Sequence, residues 1–585
     1  MVLSFGERLA HRPAFDFAGP QVVGAFFHGS SPHTPDQGTG DDGALAEPGD
    51  AAELVLEPLI GRGRGAQGGQ GEGGGRGGEA GSFHFSLNMA KKGLRVKPYI
   101  CIYTDTMFTT AELFGKFHSP KAPLQKAQDQ AAAAAPQELE RLFQSCLPSG
   151  LLSQAREGDN SRDRVYSLRV TFWTFLWQTL NPGSSCRQAV RKVMAWFAFL
   201  GLPPVSPDDS PFCQARRRLD RGTLERALCA SAQAAERRSG QAWRFHDREV
   251  IVGDGTTSAA PDTKENQRAY PQSANQKKGC GFPLVRWVAL FSLSSGALLN
   301  VALGNKHKAE LTLFRKLWDR LQAGMIFLAD RLFCDYVTLA GLLLRSVDSV
   351  LRLNSSRSYD FRKGKKLGRY DRLVTWNKPE RKPRTATQKL WRSLPGQITL
   401  RLIRYPVSIP GFRPKEIILV TTLLDPVLYP AAQLAQLYLR RWWVELFLRH
   451  IKTTLQMDIL RCQSPAMLYR EIMMHLIGYN LIRCLMAEAA GIHHVDLERI
   501  SFKGSVDTLR QFSLVIAQAR SRRQQSQLIS AMLAALAADP LPDRPHRIEP
   551  RSQKRRRKDY PYLIKPRGEL RAKLLRTNKL KNRKA

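Results

Sequence analysis

The stretch YLRRWWVELFLRHIKTTLQ, residues 438–456, determines how the rest of the chain is interpreted. Its apolar residues recur at helical spacing, which predicts an amphipathic helix with one buried stripe. At about 100° per residue, one face carries a hydroxyl, two cations and a carboxylate: Tyr438, Arg441, Lys452 and Glu445. Such a face suits a metal ion held against a phosphate. Charged residues four apart also occur on ordinary salt-bridged helices, so geometry alone leaves both interpretations open.

Two aspartates follow short buried-strand patterns earlier in the chain. Residues 250–252 lead to Asp254 within GDGT, and residues 325–329 end at Asp330. An aspartate at a strand end is more often a turn or cap residue, so neither position is decisive alone. Brought together with Glu445, the two carboxylates would raise one another's pKa, and Mg²⁺ ions would supply the missing counter-charge. Two such ions can drive in-line phosphoryl transfer.

A known family shares these features. Four residues match, without a gap, the YREK signature of the DDE transposases of the insertion-sequence-four family: Tyr438, Arg441, Glu445 and Lys452. The sequence resembles the family also in GDGT around Asp254, in the pair Asp330–Arg331 and in a strand-rich stretch before the glutamate helix. The resemblance covers roughly residues 130–570. It implies an RNase H-like α/β catalytic core in which Asp254, Asp330 and Glu445 are the catalytic and metal-binding residues.

The resemblance also implies a mechanism and a set of DNA contacts. The enzyme would cut out an insertion sequence and paste it elsewhere, through a hairpin intermediate and with two Mg²⁺ ions that Mn²⁺ can replace. It would bind the element's terminal inverted repeats and the target DNA as a homodimer. DNA contacts are expected from residues around the acids: Tyr438, Arg441, Trp442, Lys452 and Arg331. Trp442 could stack on a flipped base or pack against the insertion, and the sequence favours neither.

A second basic helix is predicted in DDSPFCQARRRLDRGTLERAL, residues 208–228. Pro211 suits its first helical position, and its three consecutive arginines could reach phosphates or guanine edges: Arg216, Arg217 and Arg218. An ordinary exposed basic helix would have the same pattern. Because the N-terminal helical region of family members contacts the element's ends, the resemblance implies a DNA-binding helix.

The chain divides into segments of different composition. Between residues 61 and 81, twelve of twenty-one residues are glycine, which cannot bury enough apolar surface to fold. We therefore expect the functional protein to start near Met89. The predicted segments, in chain order, are a disordered Gly-rich extension (1–88), a helical DNA-binding region (89–240), the first part of an RNase H-like core (245–345), a β-rich insertion (346–428), the second part of the core with the glutamate helix (429–500), and C-terminal helices with a basic tail (501–585).

Charge and composition restrict the class of partner. The formal net charge of +38 indicates a polyanion, and nucleic acid is favoured over an anionic membrane because apolar core segments are plentiful. No stretch predicts a membrane span, and nine scattered cysteines without metal spacing indicate a reducing compartment. With the resemblance, this predicts a cytoplasmic bacterial protein, nucleoid-associated when bound to DNA. Two alternatives stay open: a related nuclease that cuts without joining strands, and a catalytically silent DNA-binding derivative.

Overall fold

A computed structural model of the chain describes residues 137–153, 164–240, 243–407, 415–542 and 561–582. The predicted extension 1–88 and the expected start near Met89 lie outside the described residues. The helices in the described part are α1 Gln137–Phe143, α2 Leu168–Leu180, α3 Cys186–Phe199, α4 Ser210–Arg217, α5 Arg221–Ser239, α6 Lys264–Ala269, α7 Glu310–Arg315, α8 Tyr336–Leu343, α9 Gln388–Ser393, α10 Ala431–Leu439, α11 Trp443–Arg449, α12 Pro465–His493, α13 Phe502–Ala517, α14 Arg522–Ala538 and α15 Arg567–Asn582. The strands are β1 Val250–Ala259, β2 Leu284–Ser292, β3 Leu298–Gly304, β4 Ile326–Ala329, β5 Asp348–Arg352, β6 Lys365–Gly368, β7 Asp371–Asn377, β8 Gln397–Val407 and β9 Lys415–Thr421.

The strands of the described residues form one nine-stranded sheet in the order β3-β2-β1-β4-β5-β9-β8-β7-β6. Strand β2 runs antiparallel to both β1 and β3, whereas β4 is parallel to β1 and β5 is parallel to β4. Helix α7 precedes β4 and helix α8 joins β4 to β5, as crossovers between parallel strands require. The predicted mixed α/β class is therefore confirmed, and the first five strands fit an RNase H-like core.

The predicted insertion, residues 346–428, continues this sheet. Its first strand, β5, pairs in parallel with β4 and belongs to the five-stranded part, with Ile326 opposite Asp348. Strand β9 then pairs antiparallel with β5, and β8, β7 and β6 extend the sheet outward. The extra strands therefore lie edge to edge with the core strands and not in a second layer.

A buried arginine fixes this extension to the segment that leads into α10. Arg401 on β8 is fully buried, and its guanidinium donates to both oxygens of Asp371, at 2.9 and 2.6 Å. It also donates to the backbone carbonyls of Asp425 and Tyr429, at 3.2 and 2.7 Å. A fully paired buried cation of this kind fixes the positions of the segments that it joins.

Alternating side chains divide the sheet between two hydrophobic cores. Val250 and Val252 on β1 pack into one core, and Ile251 between them packs into the other. The first core also contains residues of α2, α5, α12, α13 and α14, whereas the second contains residues of α7 and α8. The predicted N-terminal and C-terminal helical segments thus share one core with the catalytic sheet.

Helix α12 is the centre of the first core, because its residues are apolar on every side. Its buried Asn480 forms a paired contact with the start of β3: its Oδ1 accepts from Leu298 N at 2.8 Å, and its Nδ2 donates to Leu298 O at 2.9 Å. A polar side chain whose bonds are all satisfied costs little to bury and fixes the helix on the sheet.

Two further features of the described residues concern membrane spans and cysteines. None of their helices combines the length and the apolar character needed to cross a membrane. The eight cysteines among them are free thiols.

Candidate active site

The two predicted aspartates lie at the same height on neighbouring parallel strands. Strand β1 pairs with β4 in the register Val250–Ile326, an offset of 76 residues. The pair Asp254 and Asp330 has this same offset, so the register extended past the last paired residues sets them side by side. Neighbouring strands are about 4.8 Å apart. The strand pairing therefore brings together two carboxylates that are far apart in sequence.

Asp254 lies in a setting that disfavours its charge. The pKa of Asp254 is raised to about 6, mainly by burial and in part by the carboxylates of Asp330 and Glu445. The backbone N–H of Gly255, which donates to Asp254 Oδ1 at 2.7 Å, and the Arg441 guanidinium act in the opposite direction. These mutual effects place all three predicted acids and Arg441 in one electrostatic cluster.

Asp330 ends β4 and also begins a short turn. Its Oδ1 accepts from the backbone N–H of Leu332 at 2.9 Å, capping the 3₁₀ turn Arg331–Phe333. It is thus a cap residue, as aspartates at strand ends commonly are, and at the same time a member of the acidic cluster. Arg331 is exposed beside it, and its carbonyl accepts from Asn354.

The predicted helix over residues 438–456 is helical as far as Thr454 and changes its winding along its length. Helix α10 passes through a 3₁₀ turn, Arg440–Trp442, into α11, which ends in a π turn, His450–Thr454. These turns shift the angular positions expected from a uniform 100° per residue. The four signature residues nevertheless face the sheet edge that carries Asp254, as the contacts of Arg441 and Lys452 show.

Arg441 and Glu445 form an ion pair at the centre of this stretch, with Arg441 Nη2 donating to Glu445 Oε1 at 3.0 Å. Although burial acts against its charge, contacts with Tyr438, Glu445 and Asp254 raise the pKa of Arg441. The arginine therefore stays cationic beside two carboxylates. A metal ion bound by Glu445 would have to share the Glu445 carboxylate with Arg441 or displace Arg441 from it.

Tyr438 is nearly enclosed at the same site. It is only 7% exposed, and burial raises its pKa to about 12, so the hydroxyl remains a donor at neutral pH. Arg441 and Arg352 lower the pKa of Tyr438, whereas Asp330 raises it. Arg352, the last residue of β5, is a cation at this site that the sequence did not single out. It reaches the site because the carboxyl ends of parallel strands share one edge.

Contacts at its far end hold the glutamate helix on the sheet. Lys452 Nζ donates to Thr256 Oγ1 on β1 at 3.1 Å, and burial lowers the pKa of Lys452. Phe447 packs on Phe291 of β2 with ring centres 5.6 Å apart. The threonine two residues after Asp254 thus positions the signature lysine, a role that its sequence context gave no reason to expect.

The adjacent tryptophans of this stretch differ in environment. Trp443 stacks on Phe447, with ring centres 6.3 Å apart, and packs against the first core. Trp442 is half-buried, and neither core of the described residues includes it. These contacts give Trp443 a structural role, and base stacking by Trp442 stays a prediction.

A fourth carboxylate lies against the site. A β-carbon at Gly255 would be 2.6 Å from Glu310 Oε2, so the space that glycine leaves is occupied by this side chain. A glycine beside Asp254 would suggest that a DNA backbone approaches closely here, but Glu310 fills this space instead. Burial raises the pKa of Glu310; Asp330 also raises it, and Arg286, whose Nε lies 3.9 Å from Glu310 Oε1, lowers it.

The stretch 208–228 departs from its prediction in two ways: it forms two helices, α4 and the start of α5, and one of its three arginines is buried. Arg216 is buried, with its guanidinium over the Phe175 and Phe212 rings and Nη2 donating to the sulfurs of Cys186 and Cys213. It therefore does not lie on an exposed DNA-reading face. The apolar positions of α4 place it inward, a long-range consequence of packing on α2 and α3. Arg217 is exposed and Arg218 is half-buried, so their DNA contacts stay predictions.

The acidic cluster has the donor chemistry that a divalent ion requires. Asp254, Asp330 and Glu445 offer hard carboxylate oxygens, and Mg²⁺ usually takes one or two carboxylates together with water or phosphate oxygens. The raised pKa of Asp254 shows an unmet need for positive charge. Within the described residues, no group of three or more His, Cys, Asp or Glu side chains is arranged to hold a metal ion. The three acids therefore have the donor chemistry that suits a divalent ion, but their arrangement in this structure does not form a three-ligand site.

The chain is similar to known transposases. Residues 245–481 match the family described as the transposase DDE domain, a span that contains all three acids. The transposase InsG of insertion sequence element IS4 from Escherichia coli K12 is 25% identical over 405 residues, which cover 68% of this chain and 88% of the relative. The piggyBac transposase, in a cryo-EM structure of its synaptic complex with hairpin DNA, has 11% identity and a TM-score of 0.36. That match covers 70% of this chain and 86% of the other.

The matched family and the acidic cluster define the class of this part of the chain: residues 245–481 match a transposase DDE domain. The similarity to the IS4 transposase agrees with the YREK residues, and together they support a DDE transposase of the IS4 type.

Proposed function

We propose that this protein catalyses cut-and-paste transposition of an insertion sequence by Mg²⁺-dependent strand cleavage and strand transfer. The observation that carries the proposal is the common height of Asp254 and Asp330 on neighbouring strands, with the helix of Glu445 docked against the same edge. Divalent ions held by these carboxylates would activate the attacking oxygen and stabilise the leaving one. Mn²⁺ would replace Mg²⁺ in this role.

The cations around the acids would hold the DNA. Arg441 offers a planar fork to a phosphate, and Lys452 offers a point charge. The Tyr438 hydroxyl would donate to a phosphate oxygen, and the exposed Arg331 extends the basic edge. We propose that the protein binds the element's terminal inverted repeats in this way as a homodimer.

Single neutral substitutions test the three acids. Supercoiled DNA with paired element ends and Mg²⁺ should be cut and joined by the wild type, and Asp254→Asn, Asp330→Asn and Glu445→Gln should each abolish cleavage while end binding persists. Asp262→Asn, at an exposed aspartate close in sequence, is the matched control and should retain activity. Cleavage that survives in any of the three variants would remove that residue from the site.

The same assay separates the alternatives. Excision with integration supports a transposase, and cutting without joining would indicate a related nuclease. A bandshift without cutting would indicate a silent DNA-binding derivative.

A further inference from the structure

A second basic site lies beyond the end of the glutamate helix. A cavity of about 790 Å³, here the Arg216 cavity, lies between the N-terminal helices, the start of α6 and the segment after the π turn. Gln456, which follows that turn, and Thr263, which follows β1, both line it. The cavity is separate from the acidic cluster but is lined by the segments that follow β1 and the glutamate helix.

Its central residue is a buried cation without a carboxylate bonded to it. Arg216 is 8% exposed, its Nη2 donates only to two sulfurs, and its Nε has no hydrogen-bond partner. Thiol sulfurs are weak acceptors. The Glu471 carboxylate in the same wall feels the charge of Arg216, but its hydrogen bonds come from the backbone N–H groups of Arg461 and Cys462 and not from the guanidinium. A guanidinium buried in this way costs several kcal/mol unless an anion accompanies it.

The rest of the wall also favours an anion. The N-termini of two long helices open on it, α3 at Ser185 and α12 at Ser464, and Ser464 makes no side-chain cap. Helix N-termini carry partial positive charge and unpaired N–H groups. Arg217, Lys264 and Arg461 add full charges at the exposed rim, against the single exposed acid Glu265.

A second buried group in the cavity wall is unpartnered. His475 is 8% exposed, and its Nδ1 has no hydrogen-bond partner. Burial, with some help from Arg461, lowers the pKa of His475 to about 3, so the ring is neutral and offers one donor. A phosphate oxygen in the cavity could accept a hydrogen bond from His475 and another from Arg216.

The position of the cavity identifies the source of the phosphate. Thr263 lies nine residues after Asp254, so the cavity wall is within about 30 Å of the acidic cluster. Lys452 lies between the two along the glutamate helix. A DNA strand leaving the cluster past Lys452 would reach the cavity within a few nucleotides.

We propose that the Arg216 cavity binds a phosphodiester of the DNA on which the enzyme acts, with Arg216 as its buried counter-charge. This inference rests on the proposed function for its DNA substrate. It makes Arg216 a phosphate ligand inside a cavity and not a base reader on an exposed helix face.

The test is the salt dependence of binding to a duplex that carries the inverted repeat flanking the gene, measured by fluorescence anisotropy without divalent ions. Arg216→Met should lower the slope of log K against log salt by about one unit, the loss of one phosphate contact. Arg404→Met, on the distant strand β8, should leave the slope unchanged. An unchanged slope for a folded Arg216→Met protein would overturn the proposal.

Two further readouts keep the test decisive. Because a buried unpaired cation is removed, Arg216→Met should fold and melt at the same or a higher temperature. If it does not fold, Arg461→Gln and Arg217→Gln on the rim should each lower the slope, and two unchanged slopes would overturn the proposal.

Inorganic phosphate that raises the melting temperature of the wild type and competes with the duplex at millimolar concentration would identify free phosphate as the ligand, against the proposal. The binding assay needs no catalysis, so its result is independent of the cleavage results for the acid variants. A wild type that binds no duplex would contradict both this proposal and the proposed function.

Discussion

The buried position of Asp254 disfavours its ionised form in the absence of a bound cation. Folding raises the pKa of Asp254 from about 4 to about 6, mainly by burial. Between these two pH values the folded chain holds a proton that the unfolded chain has lost. Stability therefore falls as pH rises through this window, and the cost is fully present above pH 6.

Asp254→Asn should therefore stabilise the metal-free protein at neutral pH. The free energy of unfolding should rise by about 1–3 kcal/mol near pH 7.5, and the gain should vanish below about pH 4, where both forms are neutral. Urea unfolding with a chelator present measures the difference. Asp262→Asn, at an exposed position, should show no such gain. A variant that is no more stable than the wild type at neutral pH would contradict the buried setting of Asp254.

The neighbouring tryptophans give a matched pair for base stacking. Trp442 lies outside both cores, whereas Trp443 stacks on Phe447. Trp442→Ala should slow hairpin formation about tenfold, because stacking on a base contributes about 1–3 kcal/mol, and leave the first nick unchanged. Trp443→Ala should instead lower the melting temperature. Single-turnover reactions resolved on denaturing gels measure both steps, and equal slowing of nick and hairpin by Trp442→Ala would argue against stacking.

Residue identities predicted more of the site than of its surroundings. The acids and the YREK residues were recognisable because each lies in a short pattern, a strand end or a helix face. Arg352 and Glu310 were not, since they reach the site only through the pairing of β5 and the packing of α7. The burial of Arg216 was also missed, because three consecutive arginines look alike in sequence and packing alone turns one inward.

Among the elements, the extended sheet depends on one buried ion pair. Arg401 joins β8 to Asp371 on β7 and to the carbonyls before α10, so it links the insertion to the approach of the glutamate helix. Local patterns predicted β5, β8 and β9 but not β6 and β7, because the stretch that contains those two strands is polar and basic. They did not predict that these strands continue the core sheet, because pairing partners are set by contacts far apart in sequence.

Arg401→Ala should destabilise the protein strongly. It would leave Asp371 buried without its partner, and breaking a buried pair in this way costs about 3–5 kcal/mol. Arg404→Ala on the same strand removes an exposed pair with Glu416, whose side chains are 40% and 58% exposed, and should cost less than about 1 kcal/mol. Urea unfolding of the two variants measures the contrast. Equal costs would show that the buried pair does not fix the extension.

The hydrophobic period of residues 438–456 predicted a helix but not the changes in its winding. A period of 3.6 predicted one helix, and the stretch is helical as far as Thr454, but the 3₁₀ and π turns around α11 alter its phase. Such turns arise where side chains must meet fixed partners, here Thr256 and the acidic cluster, and no local pattern encodes those distances.

For the whole molecule, charge is shared between the tail and the folded body. Residues 551–585 contain fifteen Lys and Arg and two acids, a net +13 of the chain's +38. In the described part of the tail, α15 presents Arg571 and Lys573 to solvent. The remaining +25 belongs to the rest of the chain. Both parts should therefore contribute to the counterions released on DNA binding.

Removing residues 551–585 should lower the salt dependence of DNA binding without abolishing it. The slope of log K against log salt should fall by several units, since each phosphate contact contributes about 0.9, and affinity at low salt should fall for every sequence alike. Preference for the inverted repeat over unrelated duplex should persist, because the acidic cluster, the YREK residues and the Arg216 cavity all lie before residue 551. Full-length protein with the tail lysines and arginines replaced by glutamine is the control for length and should behave as the deletion does. An unchanged slope in both proteins would mean that the tail touches no phosphate, and loss of the sequence preference would mean that the tail reads the repeat.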